Sequence, residues 1–174
     1  PKWIEDRLDT WHGIYGPIYG FRKEFPDRSA PSVMDFQRFA LAYTASIKSI
    51  DDSVGEMVAT LEELELLDNT IIVYAGDNGM FLGEHGMTDK RSMHEPSIRV
   101  PLIVRYPARI RSGQVRDDLV LNVDVAPSIL EWCRAEPLPN IHGQSFAGLL
   151  EDVSAEWRDA FFYEYNYELS LIHI

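Results

Sequence analysis

The sequence predicts an α/β fold, a mostly parallel sheet flanked by helices, and three observations carry that expectation. A long amphipathic stretch runs up to about residue 64, two short β-branched runs follow it, and a loop crowded with glycine and acidic residues leaves the end of the first run. Helix, strand, long loop, strand is the order of an α/β domain. In such sheets ligands gather at the carboxyl ends of strands.

Taken in order, residues 1–31 are dense in Gly, Pro and aromatic residues and read as loop. A helix is expected from Ser32, with Asp35 three residues on as a capping-box partner. Its apolar stripe is Phe36, Phe39, Tyr43, Ile47, Ile50, Val54, Met57, Leu61 and Leu64, spaced three and four apart and predicted to face a core. Asp51 and Asp52 lie between stripe positions and read as a solvated pair or as partners for a nearby base, ahead of a metal role. Leu67–Thr70 ends the helix. Thr70–Ala75 and Val100–Pro107 are apolar runs without alternation, the pattern of strands buried on both faces. Leu119–Val123 is a third candidate strand. Asp124 is a candidate cap for a helix over Ala126–Cys133, Ser145–Leu150 a helical turn, and Phe161–Tyr165 a last strand.

Bulk properties narrow the function classes. At 174 residues and 45% hydrophobic, the chain can bury a core. A net charge of −12 repels nucleic acid and anionic membranes, so neither is an expected partner. With one cysteine there is no internal disulfide, and the apolar residues before Cys133 predict a buried thiol. The last six residues, Leu169–Ile174, match in frame the translation of a transposon adapter used for sequencing libraries. They are expected to be a non-native tail in which His173 has no function.

The chemistry concentrates in residues 77–95. Asp77 and Asn78 offer adjacent hard oxygens at a strand end, suited to Ca²⁺ or Mg²⁺. Gly79, Gly83 and Gly86 allow tight turns and close approach of backbone to a ligand. Lys90 offers a compact positive charge for an anionic oxygen. Taken alone, Asp-Asn-Gly is also a common turn and Lys90 an ordinary surface lysine.

The ordered series Asp77-Asn78-Gly79, Leu82-Gly83-Glu84-His85-Gly86, Asp89-Lys90-Arg91, Glu95 and Arg99–Val104 resembles the type I, formylglycine-dependent sulfatases of the alkaline phosphatase superfamily. The resemblance extends through Ile50–Gly55, Asp68–Tyr74, Asn122–Leu130 and His142–Phe146, so residues 1–168 are expected to be the C-terminal portion of a sulfatase catalytic domain. Asp89-Lys90-Arg91 is similar to the glycosaminoglycan branch, which includes the N-acetylglucosamine-6-sulfatases. The resemblance implies hydrolysis of sulfate esters, with sulfated carbohydrate as the substrate partner, and a periplasmic, secreted or lysosomal setting. It also implies that Asp77 and Asn78 ligate a single Ca²⁺ and that Lys90 contacts a sulfate oxygen. His94, Glu95 and Arg91 would then lie at the substrate, and His85 is a candidate for direct catalysis or for organising the loop with Glu84. Arg99 is expected to anchor the loop or to touch substrate, and His142 to be structural.

Formylglycine arises from a Cys/Ser-x-Pro-x-Arg motif, which this sequence lacks. Cys133 is followed by Arg134-Ala135, and Ser29-Ala30-Pro31-Ser32-Val33 ends in Val where Arg is required. The nucleophile is therefore expected upstream of Pro1. Two alternatives stay open: a phosphonate or phosphodiester hydrolase of the same superfamily, and a catalytically dead carbohydrate-binding relative. The 174-residue chain alone is expected to release no sulfate from a sulfate ester, which an assay of the purified chain checks; clear turnover would sink the expectation.

Overall fold

The computed structural model describes residues 29–90, 92–151 and 156–164. Residues 1–28 of the expected 1–31 loop, the 169–174 tail and Arg91 lie outside them, and Ala30 and Pro31 of that loop are helical. Two compact units divide the chain: Pro1–Leu67 with Asn78–Pro101, and Asp68–Asp77 with Leu102–Ile174.

In the first unit, helix α1 spans Ala30–Glu63. It starts two residues before the expected Ser32, because Pro31 fits the first turn, where its missing N–H is no loss. Ser29 stands at the cap position without a side-chain cap bond. Lys48 pairs with Asp52 and lies 3.7 Å from Asp51, so the acidic pair is a solvated charge cluster. The expected apolar stripe is there as a line of side chains, but much of it stays open, with Ile47, Ile50, Met57 and Leu64 exposed. Periodicity marks the face a helix could bury; a covering surface must come from other elements. No helix among the described residues is long and apolar enough to cross a membrane.

The same unit holds a small hairpin, β2 (Phe81–Leu82) against β3 (Thr88–Asp89), and a one-turn helix α2 (Glu95–Ile98). The hairpin strands run antiparallel, with Phe81 opposite Asp89 and Leu82 opposite Thr88.

In the second unit, β1 (Ile72–Ala75) pairs with β4 (Leu102–Arg105). The α/β class stands, but the expected parallel direction does not hold for the described strands. They run antiparallel, with Val73 opposite Val104. Parallel pairing needs a crossover that returns the chain to its starting end. The intervening residues form a hairpin and a single helical turn instead. Nor are both faces buried: Val73, Leu102 and Val104 pack on the core, whereas Ile103 on the other face is 63% exposed.

That core is Trp132, Phe146, Ala147 and Leu149, supplied by helices α3 (Val125–Trp132) and α4 (Ala147–Leu150) and the residue before α4. Trp132 meets Phe146 edge-on at 5.6 Å and Tyr106 at 6.1 Å, each pair worth about 0.5–1.5 kcal/mol beyond area burial. Its indole N–H donates to Glu151, which also accepts from Arg109. Cys133, expected in the core, is exposed: α3 ends at Trp132, so the tryptophan takes the buried position and the thiol falls past the last turn.

Leu119–Val123 and Phe161–Glu164 are not strands, and Tyr165 lies outside the described residues. Asn122–Asp124 is instead a short 3₁₀ turn leading into α3. Asp124 stands at the expected start of α3 but does not cap it. Its side chain is fully buried and turned elsewhere. Oδ2 accepts the Leu121 N–H at 2.7 Å and Oδ1 the Gln144 N–H at 2.8 Å. Arg158 grips both oxygens, with Nη2 at 2.8 Å from Oδ1 and Nη1 on Oδ2. The Asp124 carbonyl accepts the Ser128 hydroxyl, which in turn accepts the Phe146 N–H. Gly143 lies so close that an added Cβ would sit 1.9 Å from the Val123 carbonyl oxygen.

Burial pushes the Asp124 carboxyl up, but the Arg158 hydrogen bond, the backbone N–H groups of Gln144 and Leu121, and the charge of the guanidinium outweigh it. The carboxyl is held below the ordinary aspartate value. Asp124→Ala is expected to cost about 3–5 kcal/mol, because it leaves Arg158 without its partner. The folded carboxylate binds its proton more weakly than the unfolded one. Its contribution is therefore whole above roughly pH 4 and is lost as pH falls through the lowered folded value. Denaturation midpoints taken from pH 7 downward should fall through that acid range in the unsubstituted chain and show a smaller fall in Asp124→Ala.

Candidate functional site

The candidate residues follow β1. Gly76 and Asp77 leave its carboxyl end, as expected of a ligand-bearing strand end. The Asp77 side chain is exposed, and its main-chain carbonyl accepts the Asn122 side-chain N–H at 2.8 Å. The turn that Asp124 anchors therefore also fixes this strand end. Asn122 was part of the sequence resemblance but was not a candidate site residue. Nothing local in the sequence pairs residues 45 apart.

The chain enters the first unit at Asn78. Its amide is fixed from both sides: Nδ2 donates to the Gly79 carbonyl at 2.9 Å, and Oδ1 accepts from Lys90 Nζ at 3.0 Å. The β2–β3 hairpin explains how Lys90 arrives there, since it reverses the chain and Lys90 is the first residue after β3. Buried Phe81 and Met87 hold the hairpin down, and Glu84 accepts the Leu82 N–H at 2.6 Å across the turn. Three residues here take left-handed backbone: Gly83, His85 with φ of 55°, and Asp89 with φ of 69°. For the two non-glycine residues that conformation costs of the order of 1–3 kcal/mol each, a strain that clusters at functional loops.

Gly79 docks the loop on α2. Its N–H donates to the Ser97 carbonyl at 2.9 Å, and a Cβ would fall 2.1 Å from the Pro96 carbonyl oxygen. This contact is why the third residue of Asp-Asn-Gly must lack a side chain; the turn itself does not require it, since Gly79 does not take positive φ.

His94 precedes α2, and its Nδ1 lies 2.8 Å from the Ser92 hydroxyl. The His85 ring is 4.8 Å from the His94 ring, centroid to centroid, and Phe81 meets both edge-on at 5.9–6.2 Å. His85 thus joins an aromatic cluster with His94 and Phe81. Glu95 accepts from Arg99 at 3.3 Å on an exposed face, a pair worth at most about 1 kcal/mol. This arrangement favours Arg99 as a local anchor. His142 is exposed.

Asp77 and Asn78 are two hard-oxygen donors consecutive in sequence, and they suit Ca²⁺ as part of a ligand set. An amide oxygen has two lone pairs, so Asn78 can accept from Lys90 and still face a cation. Calcium takes six to eight oxygens. Among the described residues no group of three or more His, Cys, Asp or Glu side chains could hold a metal, so these two supply only a share.

Comparison with known proteins adds family context. Residues 83–174 match the family described as N-sulphoglucosamine sulphohydrolase, C-terminal. The chain is 38% identical over 169 residues to an N-acetylglucosamine-6-O-sulfatase of Bacteroides thetaiotaomicron, a match that takes in 95% of this chain and 30% of the relative. Among solved structures it resembles one described as in complex with its substrate D-glucosamine-2-N,6-O-disulfate. The TM-score is 0.73 at 39% identity, over 83% of this chain and 31% of that one. A phosphonate monoester hydrolase from Silicibacter pomeroyi matches with TM-score 0.69 at 27% identity, over 77% of this chain and 26% of that one. The chain thus spans about a third of the length of these relatives.

Gly79→Ala should lower the denaturation midpoint by the equivalent of about 1–3 kcal/mol, the cost of forcing a methyl group into a filled space. Gly55→Ala in α1, where a Cβ meets nothing within 4 Å, should leave it unchanged or raise it by up to about 1 kcal/mol. Equal effects of the two substitutions would mean that the contact with Pro96 does not hold the loop.

Proposed function

The chain belongs to the sulfatase family, and from that premise we propose that it carries the metal-and-sulfate half of a site that hydrolyses sulfate esters on glucosamine-type carbohydrate. The observation behind this reading is Lys90 Nζ on Asn78 Oδ1 at 3.0 Å, an ammonium beside a hard-oxygen donor next to Asp77. The substrate class is supported by the sulfated glucosamine named for one similar structure and by the 6-O-sulfatase relative. The runner-up chemistry, phosphonate ester hydrolysis, has a structural relative too, but Asn following Asp favours a hard cation over a transition metal.

In this reading Asp77 and Asn78 give two ligands to Ca²⁺, and sulfatases in general use a metal together with a formylglycine nucleophile. When bound, the metal polarises sulfate oxygens and the formylglycine supplies the attacking oxygen. Lys90 presents its ammonium to a non-bridging sulfate oxygen and stabilises charge that grows on the leaving group. The 3.0 Å bond to Asn78 fixes the direction of that ammonium before substrate arrives, so little reorganisation remains for the reaction itself. His94 and Glu95, with Arg91, contact the sugar or its sulfate, and His85 packs on His94 to hold the loop.

Lys90→Ala in the sulfatase that contains this chain should lower kcat for N-acetylglucosamine-6-sulfate by about 10²–10³-fold, the cost of one lost charge-stabilising donor. Removing calcium with a chelator should abolish sulfate release, and Ca²⁺ alone should restore it. Unchanged turnover in Lys90→Ala, or full activity after chelation, would remove this reading.

A further inference from the structure

The loop contains a buried polar residue that the proposed chemistry does not use. Ser92 is 6% exposed, and so is nearly excluded from solvent. Such a residue needs hydrogen-bonding partners, because a buried hydroxyl without them costs about 1–3 kcal/mol. Its partners are all local. The Ser92 N–H donates to the Ser97 hydroxyl at 3.3 Å, and Ser97 is itself only 5% exposed. The Ser92 hydroxyl lies 2.8 Å from His94 Nδ1, and the His94 backbone N–H points at the same oxygen from 3.5 Å. The Ser97 N–H closes the ring of contacts by donating to the His94 carbonyl at 2.8 Å.

We propose that Ser92 is a positioning residue: its buried hydroxyl holds Nδ1 of His94 and so presents the imidazole as an Nε2–H donor to a sulfate-ester oxygen. The direction follows from the oxygen's neighbours. The Ser92 oxygen accepts the His94 backbone N–H with one of its two lone pairs, while its own proton, buried with the side chain, needs an acceptor, and Nδ1 at 2.8 Å is within reach. Nδ1 then accepts, and the ring proton resides on Nε2. The ring plane is held as well, between the His85 ring at 4.8 Å and the edge of buried Phe81 at 5.9 Å. An Nε2–H donor suits a sulfate ester, whose oxygens are acceptors only. Ser92 acts through His94 and does not itself touch substrate; the inference rests on the reading that places His94 at the substrate.

The test has a spectroscopic arm and a kinetic arm. In the full chain labelled with ¹⁵N, the His94 side-chain resonances should show a hydrogen-bonded, unprotonated Nδ1 and a protonated Nε2. In Ser92→Ala the Nδ1 resonance should move toward that of a free imine nitrogen, and Ser92→Thr, which keeps a hydroxyl, should restore it. Should Ser92→Ala fail to fold, Ser92→Cys takes its place, since a thiol fills similar space but donates weakly. In the sulfatase that contains this chain, Ser92→Ala should raise KM for N-acetylglucosamine-6-sulfate about tenfold with kcat nearly unchanged, as expected for one lost hydrogen bond in the binding set. A proton on Nδ1 in the unsubstituted chain, or an Nδ1 resonance that Ser92→Ala leaves in place, overturns the proposal. If His94→Ala raises KM while Ser92→Ala does not, the positioning role is wrong although His94 still binds substrate. If His94→Ala leaves KM unchanged, the premise fails and the role of Ser92 in recognition falls with it.

Discussion

The second unit is organised around one buried carboxylate. Asp124 has no exposure to water, yet both its oxygens are engaged, by Arg158 and by the N–H groups of Leu121 and Gln144. An ion buried in this way is tolerated only when nearly every lone pair is satisfied. The residues that satisfy it are therefore constrained in turn. Arg158 lies over the Trp157 ring at 4.6 Å, and Trp157 and Arg158 both donate to the Leu119 carbonyl. Gln144 follows Gly143, whose hydrogen faces the Val123 carbonyl because nothing larger fits. Segments that are neither helix nor strand are thus held where their backbone can solvate one anion, and the cost of moving any of them is the cost of exposing the pair.

This arrangement reaches the chemistry through Asn122. The turn that offers Leu121 N–H to the carboxylate also aims the Asn122 amide at the Asp77 carbonyl. A proposed metal ligand thus has its backbone held by the buried network two residues away. On the other side of the Asp77–Asn78 peptide the devices differ. Gly79 is pressed on Pro96 and Ser97, and the β2–β3 hairpin returns the chain so that Lys90 meets Asn78. Rigid placement of charged groups before substrate binds is what electrostatic catalysis requires.

The parts legible in the sequence were those with local signals. Helical spacing found α1, β-branched runs found β1 and β4, and the order of short motifs singled out the loop in which Lys90 meets Asn78. Strand direction was not legible, because an apolar run of four residues has the same composition in either direction. Its burial was overestimated for a similar reason: Ile103 and Val104 read alike, yet one faces water and the other the core. Cys133 was misplaced because one residue of helix phase separates it from Trp132. The Asp124–Arg158 pair carries no sequence signal, since 34 residues and no shared periodicity lie between the partners. Ser92 was invisible too, because a serine in a polar loop gives no sign that it will be buried.

Charge gives a further reason to expect a metal in this loop. Residues 77–95 contain four carboxylates, on Asp77, Glu84, Asp89 and Glu95, and two fixed cations, on Lys90 and Arg91. These fixed charges alone leave two negative charges, the wrong sign for a sulfate ester. The chain's overall charge of −12 cannot help, although beyond about 8 Å it is largely screened at physiological salt. Lys90 alone does not reverse the local balance. One divalent cation held by Asp77 and Asn78, as proposed above, would cancel it, and Lys90 and His94 would then meet sulfate in a field that no longer repels it. On the proposed reading anion binding would then be conditional on the metal, with Asp77 the one carboxylate of the four that serves as its ligand, while Glu84 accepts the Leu82 N–H and Glu95 pairs with Arg99.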